Sequence, residues 1–335
     1  MITTVLSPTL RTHFLQSRFG RRLAGNVLTR RGLGLLVVLL SAAAFGAVTP
    51  FARLAYDDGV NVVTLMVVRY ALAALAVSGY LAWRRQPWRL AGRRLWLTLG
   101  LALFMGLMSF SYLGSIRYIP VSLAALIYYI HPILVSLVAQ VTGNEPWNSR
   151  ERAAHAIAFG GQALSLGGLA LLLGLSGSGI NPMGVLMAAF SAVSITIVMV
   201  FGSRLMQAVP PMVLNLYIAL ANTALFTVTA VLGVGFAWPT AAIGWLGLMG
   251  VAFFFTAGFL GMFVGVKMIG PSRAACLSNV EPVVTIALAI TVLHEPFSLW
   301  QFVGAAAVLV GIFTMCSNVV EEGDLYLAGA QESRG

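Results

Sequence analysis

Ten apolar stretches follow one another along this chain, each about as long as a bilayer is thick, and they constrain its fold more than any other feature. They run at about 33–55, 60–83, 95–116, 120–142, 153–175, 182–203, 211–236, 241–266, 270–293 and 297–317. A helix needs roughly 20 mostly apolar residues to cross the hydrocarbon core. The breaks carry turn or charge signals: Asp57-Asp58-Gly59, Gly177-Ser178-Gly179, Pro210-Pro211 and Trp238-Pro239. Composition agrees, with 59% hydrophobic and only 9% charged residues. Too few polar side chains remain to cover a surface in water, so lipid is the solvent that fits.

The net charge of +10 suggests nucleic acid until its distribution is read. Eleven of the twenty basic residues lie in two stretches, Arg11 to Arg31 and Arg84 to Arg94, each abutting an apolar run. No basic surface module with interleaved aromatics is present, so a nucleic-acid partner is not expected. With the N-terminus inside, 17 of 20 basic residues face the cytoplasm; Arg53 and Arg117 fall outside, and Arg69 falls within the membrane. The opposite orientation violates the positive-inside rule, so both termini are expected in the cytoplasm. Residues 1–31 carry six arginines and no acid. Their composition also suits a mitochondrial presequence, but a basic cytoplasmic arm is the simpler reading. No secretory signal is expected, since the first apolar run follows about 30 polar and basic residues. The expected location is a bacterial plasma (inner) membrane. Cys276 and Cys316 sit inside apolar runs and read as packing residues.

An internal repeat organises the runs. Offset by 150 residues, the two halves align without a gap: Gly34 meets Gly184, Trp88 meets Trp238 and Arg117 meets Lys267. Pro132 meets Pro282, and Glu145-Pro146 meets Glu295-Pro296. Five spans per copy is an odd number, so the second copy must enter the membrane upside down. Inverted repeats recur in secondary transporters, because two matched halves can exchange inward- and outward-facing shapes. The expected fold is an all-α membrane protein of ten transmembrane helices in two inverted five-helix repeats. Its parts are a basic arm (1–31), a first repeat (32–177), a second repeat (182–317) and a polar tail (318–335).

The pattern Ser122-x-Ala-Ala…His131-Pro132…Glu145-Pro146, repeated as Ser272-x-Ala-Ala…Glu281-Pro282…Glu295-Pro296, resembles the EamA repeat of the drug/metabolite transporter superfamily. Gly160-Gly161, Gly311 and Arg69 are similar to that pattern too, and the resemblance covers about 33–317. It implies carriers of metabolites, amino acids or toxic compounds, with a central cavity between the halves. It also implies a homodimer through the last spans of each half. Arg69 has no counterpart in the second copy, where Ala219 stands.

Several residues could serve such a cavity. A charge inside the bilayer costs at least ~2.5–3.5 kcal/mol and usually faces a cavity or a partner. Glu281 is the one acid deep in a span, where it can bind a cation or proton, anchor substrate, or serve as a structural ion-pair member. His131 holds the equivalent position and is either a ligand or a packing residue. Pro132 and Pro282 act as hinges, freeing the carbonyls of Tyr128 and Ser278. Tyr128 and His131 share a helix face, as do Ser278 and Glu281. Arg69 can pair with Glu281 or with an anionic substrate, or snorkel outward. Tyr112, Tyr129, Tyr217, Trp245 and Asn279 are candidate cavity lining. Gly160, Gly167 and Gly174, with Gly304, Ala307 and Gly311, allow close helix contact within one chain or between two.

The function this supports is secondary transport of a small molecule. No phosphate-binding Gly-x-x-x-x-Gly-Lys pattern occurs, so energy must come from a gradient or from exchange. A membrane-embedded enzyme would need paired acids, a histidine-rich metal set or a Ser–His pair. The four histidines are scattered, and His13, His155 and His294 lie away from the span centres. No catalytic residue, metal or cofactor is therefore expected. A channel or a scaffold are further alternatives; a channel would show repeated pore-lining rings across identical subunits, whereas the polar residues here sit near one depth.

Overall fold

The computed structural model describes residues 18–141, 181–269 and 280–295, with helical positions at 157, 274, 277, 278, 302, 303, 306, 307 and 310. Side chains are described from residue 32, some helical positions such as Pro132 excepted. Apart from those single positions, the fifth and tenth expected spans and both glycine-rich stripes lie outside the described residues, as do Glu145-Pro146, Asn279 and the two cysteines. So do the far N-terminal arm and the C-terminal tail.

Every described element is helical: α1 (Arg18–Asp57), α2 (Val62–Trp83), α3 (Gly92–Ser115), α4 (Val121–Tyr128), α5 (His131–Val141), α6 (Pro182–Met206), α7 (Pro211–Thr229), α8 (Ala242–Ile269) and α9 (Glu281–Leu293). A π-helical turn, Ala230–Val234, extends α7. Among the described residues, six helices are long and apolar enough to cross a membrane: Gly32–Asp57, Val62–Trp83, Gly92–Ser115, Pro182–Met206, Pro211–Val234 and Ala242–Val266. Their starts have local causes. The Asn61 side chain accepts from Thr64 N at 2.7 Å, and that of Asn181 from Met183 N at 2.9 Å. Pro182 and Pro211 open α6 and α7, where a missing N–H costs nothing.

Helices pack mainly across the two halves. α1 lies on α8 and α9, α2 on α7 and α8, and α3 on α6 and α7. The 150-residue offset maps these pairs onto one another: α1 with α8 becomes α6 with α3, α1 with α9 becomes α6 with α5, and α2 with α8 becomes α7 with α3. α2 and α7 run antiparallel. Asn61 Nδ2, at the start of α2, donates to Gly235 O beyond the end of α7 at 3.0 Å. Leu90 N, beyond the other end of α2, donates to the Tyr217 hydroxyl near the start of α7 at 3.2 Å. The α1–α8 contact depends on Gly247: a Cβ there would meet Ala55 N at 2.5 Å and Phe51 O at 2.8 Å, both backbone atoms.

Two carboxylates join the halves at one end. Asp58 follows α1 and accepts from Thr240 N and Ala241 N, each at 2.8 Å, and from Thr240 Oγ1 at 2.9 Å, at the start of α8. Those bonds, the one from Ala241 N foremost, hold the Asp58 carboxyl below the usual carboxylate range. Glu295 follows α9 and reaches the start of α4, accepting from Val121 N and Ser122 Oγ, each at 2.6 Å, and from Ser122 N at 3.0 Å. Each acid satisfies N–H groups that a helix start leaves unpaired. At the other end the halves meet through an apolar cluster of Val77, Leu81, Leu101, Val209, Val213 and Leu216.

Candidate functional site

The fourth span is two helices. α4 stops at Tyr128, and α5 begins at His131. Pro132 has no N–H to return to the Tyr128 carbonyl, so the ladder breaks there. The His131 ring takes that carbonyl instead, with Nδ1 at 3.0 Å. A carbonyl only accepts, so Nδ1 carries the proton. Around the break, Ile130 N reaches back to Ile127 O at 3.3 Å, and Leu134 N to Ile130 O at 3.2 Å. The second half repeats this: Val280 N to Leu277 O and Val284 N to Val280 O, both at 3.2 Å. α9 then opens on Glu281-Pro282.

A third break escaped the sequence reading. Pro50 lies inside α1 and removes the donor for Gly46 O. Thr285 Oγ1 of α9 fills the vacancy at 3.0 Å. Gly46 also allows α9 its approach, since a Cβ would stand 2.7 Å from Glu281 O. A proline in an apolar run with glycine four residues before it was the available signal.

These elements surround a cavity of about 180 Å³. Phe45, Val48 and Thr49 of α1, Arg69 of α2, Met105, Ser109 and Tyr112 of α3 and Tyr128 of α4 line it from the first half. Ile195 of α6, Phe255 of α8 and Glu281 of α9 line it from the second. Arg69 is 5% exposed and faces protein. Its guanidinium centre lies 3.8 Å above the Phe255 ring and 5.1 Å from the Tyr70 ring. Nη2 donates to Ser109 Oγ at 3.2 Å, and the Tyr70 hydroxyl shares a 2.7 Å hydrogen bond with the same oxygen. Nε has no acceptor among the described residues. No carboxylate among them lies within ion-pair distance of Arg69; the one described ion pair joins Arg53 to Asp57. Glu281 is near enough for electrostatic attraction.

The tyrosines gather on the other wall. Tyr112 stacks on Tyr128 with ring centres 4.3 Å apart, and Tyr128 touches Tyr129 and His131 at 5.2 and 4.9 Å. The Tyr112 hydroxyl accepts from Thr49 Oγ1 at 3.3 Å. The Tyr129 phenol adjoins the Glu281 carboxyl, at a geometry short of a hydrogen bond.

The structure thus brings Glu281, Arg69, Tyr112 and Tyr128 to one cavity, with Tyr129 and the buried His131 just behind. Ser278 is half-buried one turn before Glu281. Two expected lining residues are elsewhere. Tyr217 packs against the apolar cluster at the far end and accepts from Leu90 N. Trp245 is 42% exposed and stacks on Trp238 at the molecule's periphery. Aromatic identity did not distinguish lining from periphery. Ser109, Tyr70 and Phe255 were missed, because serine and aromatics are ordinary in apolar helices.

The EamA-like transporter family model matches residues 32–167 and again 182–317. The chain belongs to the EamA-like transporter family. It is 27% identical over 282 residues to an uncharacterised transporter of Archaeoglobus fulgidus, covering 83% of this chain and 94% of that protein. A crystal structure of a protein at 20% identity matches with a TM-score of 0.58, over 83% of this chain and 97% of the other. At that identity the likeness concerns the fold. This EamA-like protein is therefore a multi-pass integral membrane transporter, surrounded by lipid and acting on a small molecule.

Proposed function

We propose that the protein is a secondary carrier that moves a metabolite, amino acid or toxic compound by alternating access through the Arg69–Glu281 cavity. The observation that carries this reading is the cavity's two-sided wall, built from helices of both repeats. Matched packing pairs and antiparallel α2 and α7 support two inverted repeats, and ten spans in all. Equivalent breaks before His131 and Glu281 give each half a bending point beside the cavity. The Asp58 and Glu295 clasps hold one end shut and the apolar cluster closes the other, and the two open in turn. Arg69 orients substrate, Glu281 couples transport to a proton, and Pro132 and Pro282 are the hinges.

The test is uptake by proteoliposomes of a panel of labelled metabolites and toxic compounds, with and without a proton gradient. Glu281→Gln imitates the protonated acid, so it should abolish accumulation against a gradient while exchange continues. Arg69→Lys keeps the charge but loses the planar fork, and should weaken transport. Unchanged accumulation and pH profile in Glu281→Gln would make that acid structural. Cysteine labelling at 57–59 and 86–92 tests orientation: periplasmic reaction of the 86–92 loop would sink it.

A further inference from the structure

We propose that the transported species is a small monoanion with an apolar body, a monocarboxylate in type, whose charge docks on Arg69 while Glu281 takes up one proton. This rests on the carrier reading above and names the substrate class of its cavity. A guanidinium has five N–H donors and stays charged in proteins. At Arg69 the described acceptors amount to Ser109 Oγ, and one face is spent on Phe255. A buried cation with so few partners is costly unless something supplies negative charge. Its orientation is nonetheless fixed, since Tyr70 holds Ser109 and Ser109 holds Nη2. The arrangement is a prepared anion receptor.

The opposite wall is poorly equipped for an ammonium group once Glu281 is protonated, since the Tyr112 hydroxyl already accepts from Thr49 and only neutral oxygens remain. An ammonium needs three acceptors. The Tyr128 carbonyl, freed by Pro132, is already taken by His131 Nδ1. The Gly46 carbonyl, freed by Pro50, is taken by Thr285. Phe45, Val48, Met105, Met108, Leu113 and Ile195 supply no strong acceptor, and suit an apolar body.

The approach carries the same sign. A second cavity, of about 490 Å³, is lined by Arg53 and Arg117, the two basic residues expected outside. Thr49 and Leu113 line the first cavity, and Arg53 and Arg117, four residues on, line the second. Thr49 and Arg53 are four residues apart on α1, about 6 Å along a helix, so the second cavity lies one turn beyond the first. Its acids are engaged: Asp57 pairs with Arg53 at 3.0 Å, and Glu295 holds the start of α4. Arg117 instead faces the Tyr56 ring at 5.7 Å, leaving its charge available to an entering anion.

Charge balance supplies the proton. With Glu281 ionised, the empty cavity holds one cation and one carboxylate. A bound carboxylate would leave a net negative charge, and one proton on Glu281 restores neutrality. The titratable groups facing Glu281 are Arg69 of α2, Tyr112 of α3, Tyr128 of α4 and Tyr129 just beyond it. α1 offers it the backbone at Gly46. A dianion would remain undercompensated by one guanidinium.

The test uses purified protein with benzoate, benzamide, benzylamine, phenylalanine and phthalate, reading equilibrium binding and, in weak buffer, proton uptake. Benzoate should bind, benzamide and benzylamine should not, and about one proton should enter per benzoate. Arg69→Gln should weaken benzoate binding roughly ten- to a hundredfold. Arg69→Lys guards against misfolding and should retain part of the affinity. Glu281→Gln should bind benzoate without proton uptake. Phenylalanine or benzylamine binding as tightly as benzoate, no binding of any anion, or benzoate binding indifferent to Arg69→Gln overturns the proposal. Benzoate that binds but shows no counterflow in proteoliposomes would leave the anion site standing and sink the carrier reading.

Discussion

Among the described residues, the two ends of the molecule hold the halves together by different physics. At one end, Asp58 and Glu295 clasp the first N–H groups of α8 and α4, while Asn61 and Thr64 bond the chain after α7. At the other, aliphatic side chains of α2, α3 and α7 close over each other, with Leu90 N to Tyr217 as the cross-half loop contact. Under the 150-residue offset, Asp58 corresponds to Ala208 and Thr240 to Leu90. The same place in the pseudo-symmetric frame is thus polar at one end and apolar at the other. Directional bonds are strong at one geometry and replaceable by water once broken. Apolar contact yields gradually and responds little to pH. At the Asp58 and Ala208 positions, two repeats with one backbone plan therefore answer to different conditions.

The largest expected effect breaks the clasped end outright. Gly247→Leu drives a side chain into the α1 backbone, which cannot yield as a side-chain tip could. Overpacking of this kind costs about 1–3 kcal/mol or more. The measurement is the monodisperse fraction on size-exclusion chromatography, and wild-type recovery would contradict the close approach. Glu295→Ala comes next, leaving Val121 and Ser122 without their acceptor at a cost of about 1 kcal/mol. A cysteine at Tyr118 should then label faster, while one at Leu90 stays unchanged.

Acid should sharpen the contrast. The Asp58 carboxyl is held below its ordinary value, so its contribution is complete above 3.8 and is lost as pH falls through the lowered value. Labelling of a cysteine at Ala237 should rise in that window, and Asp58→Asn should remove the pH dependence. A cysteine at Leu90, which reports the thiol's own loss of reactivity in acid, should show no such relative rise. The smallest effect is expected for Tyr217→Phe, which deletes one bond and costs about 1 kcal/mol or less. A larger loss would mean that the apolar end also depends on directional bonding.

The helices, the repeat and the break at Pro132 were legible because each rests on local chemistry: apolar length, an offset, a missing N–H. What joins distant segments was not. Glu295 announced itself as half of a repeated Glu-Pro pair, yet its partners Val121 and Ser122 lie more than 170 residues away. Asp58 read as a turn residue, and nothing local ties it to Thr240. Arg69 was visible as a charge out of place, whereas Phe255 and Ser109 were not, since helices in lipid can be apolar on every side. Tyr217 and Trp245 stand away from the described cavity, and aromatic identity alone could not place them.

The pairing of α1 with α8 also bears on how the chain comes into being. α1 ends at Asp57 and α8 begins at Ala242, so nearly two hundred residues must be synthesised before the two can meet. At ribosomal speeds of about 5–20 residues per second, α1 waits roughly 10–40 s with its packing face turned to lipid or to the insertion machinery. Asp58 waits nearly as long for Thr240. During that interval the first half is inserted but unassembled, and cellular quality control has its opportunity to act.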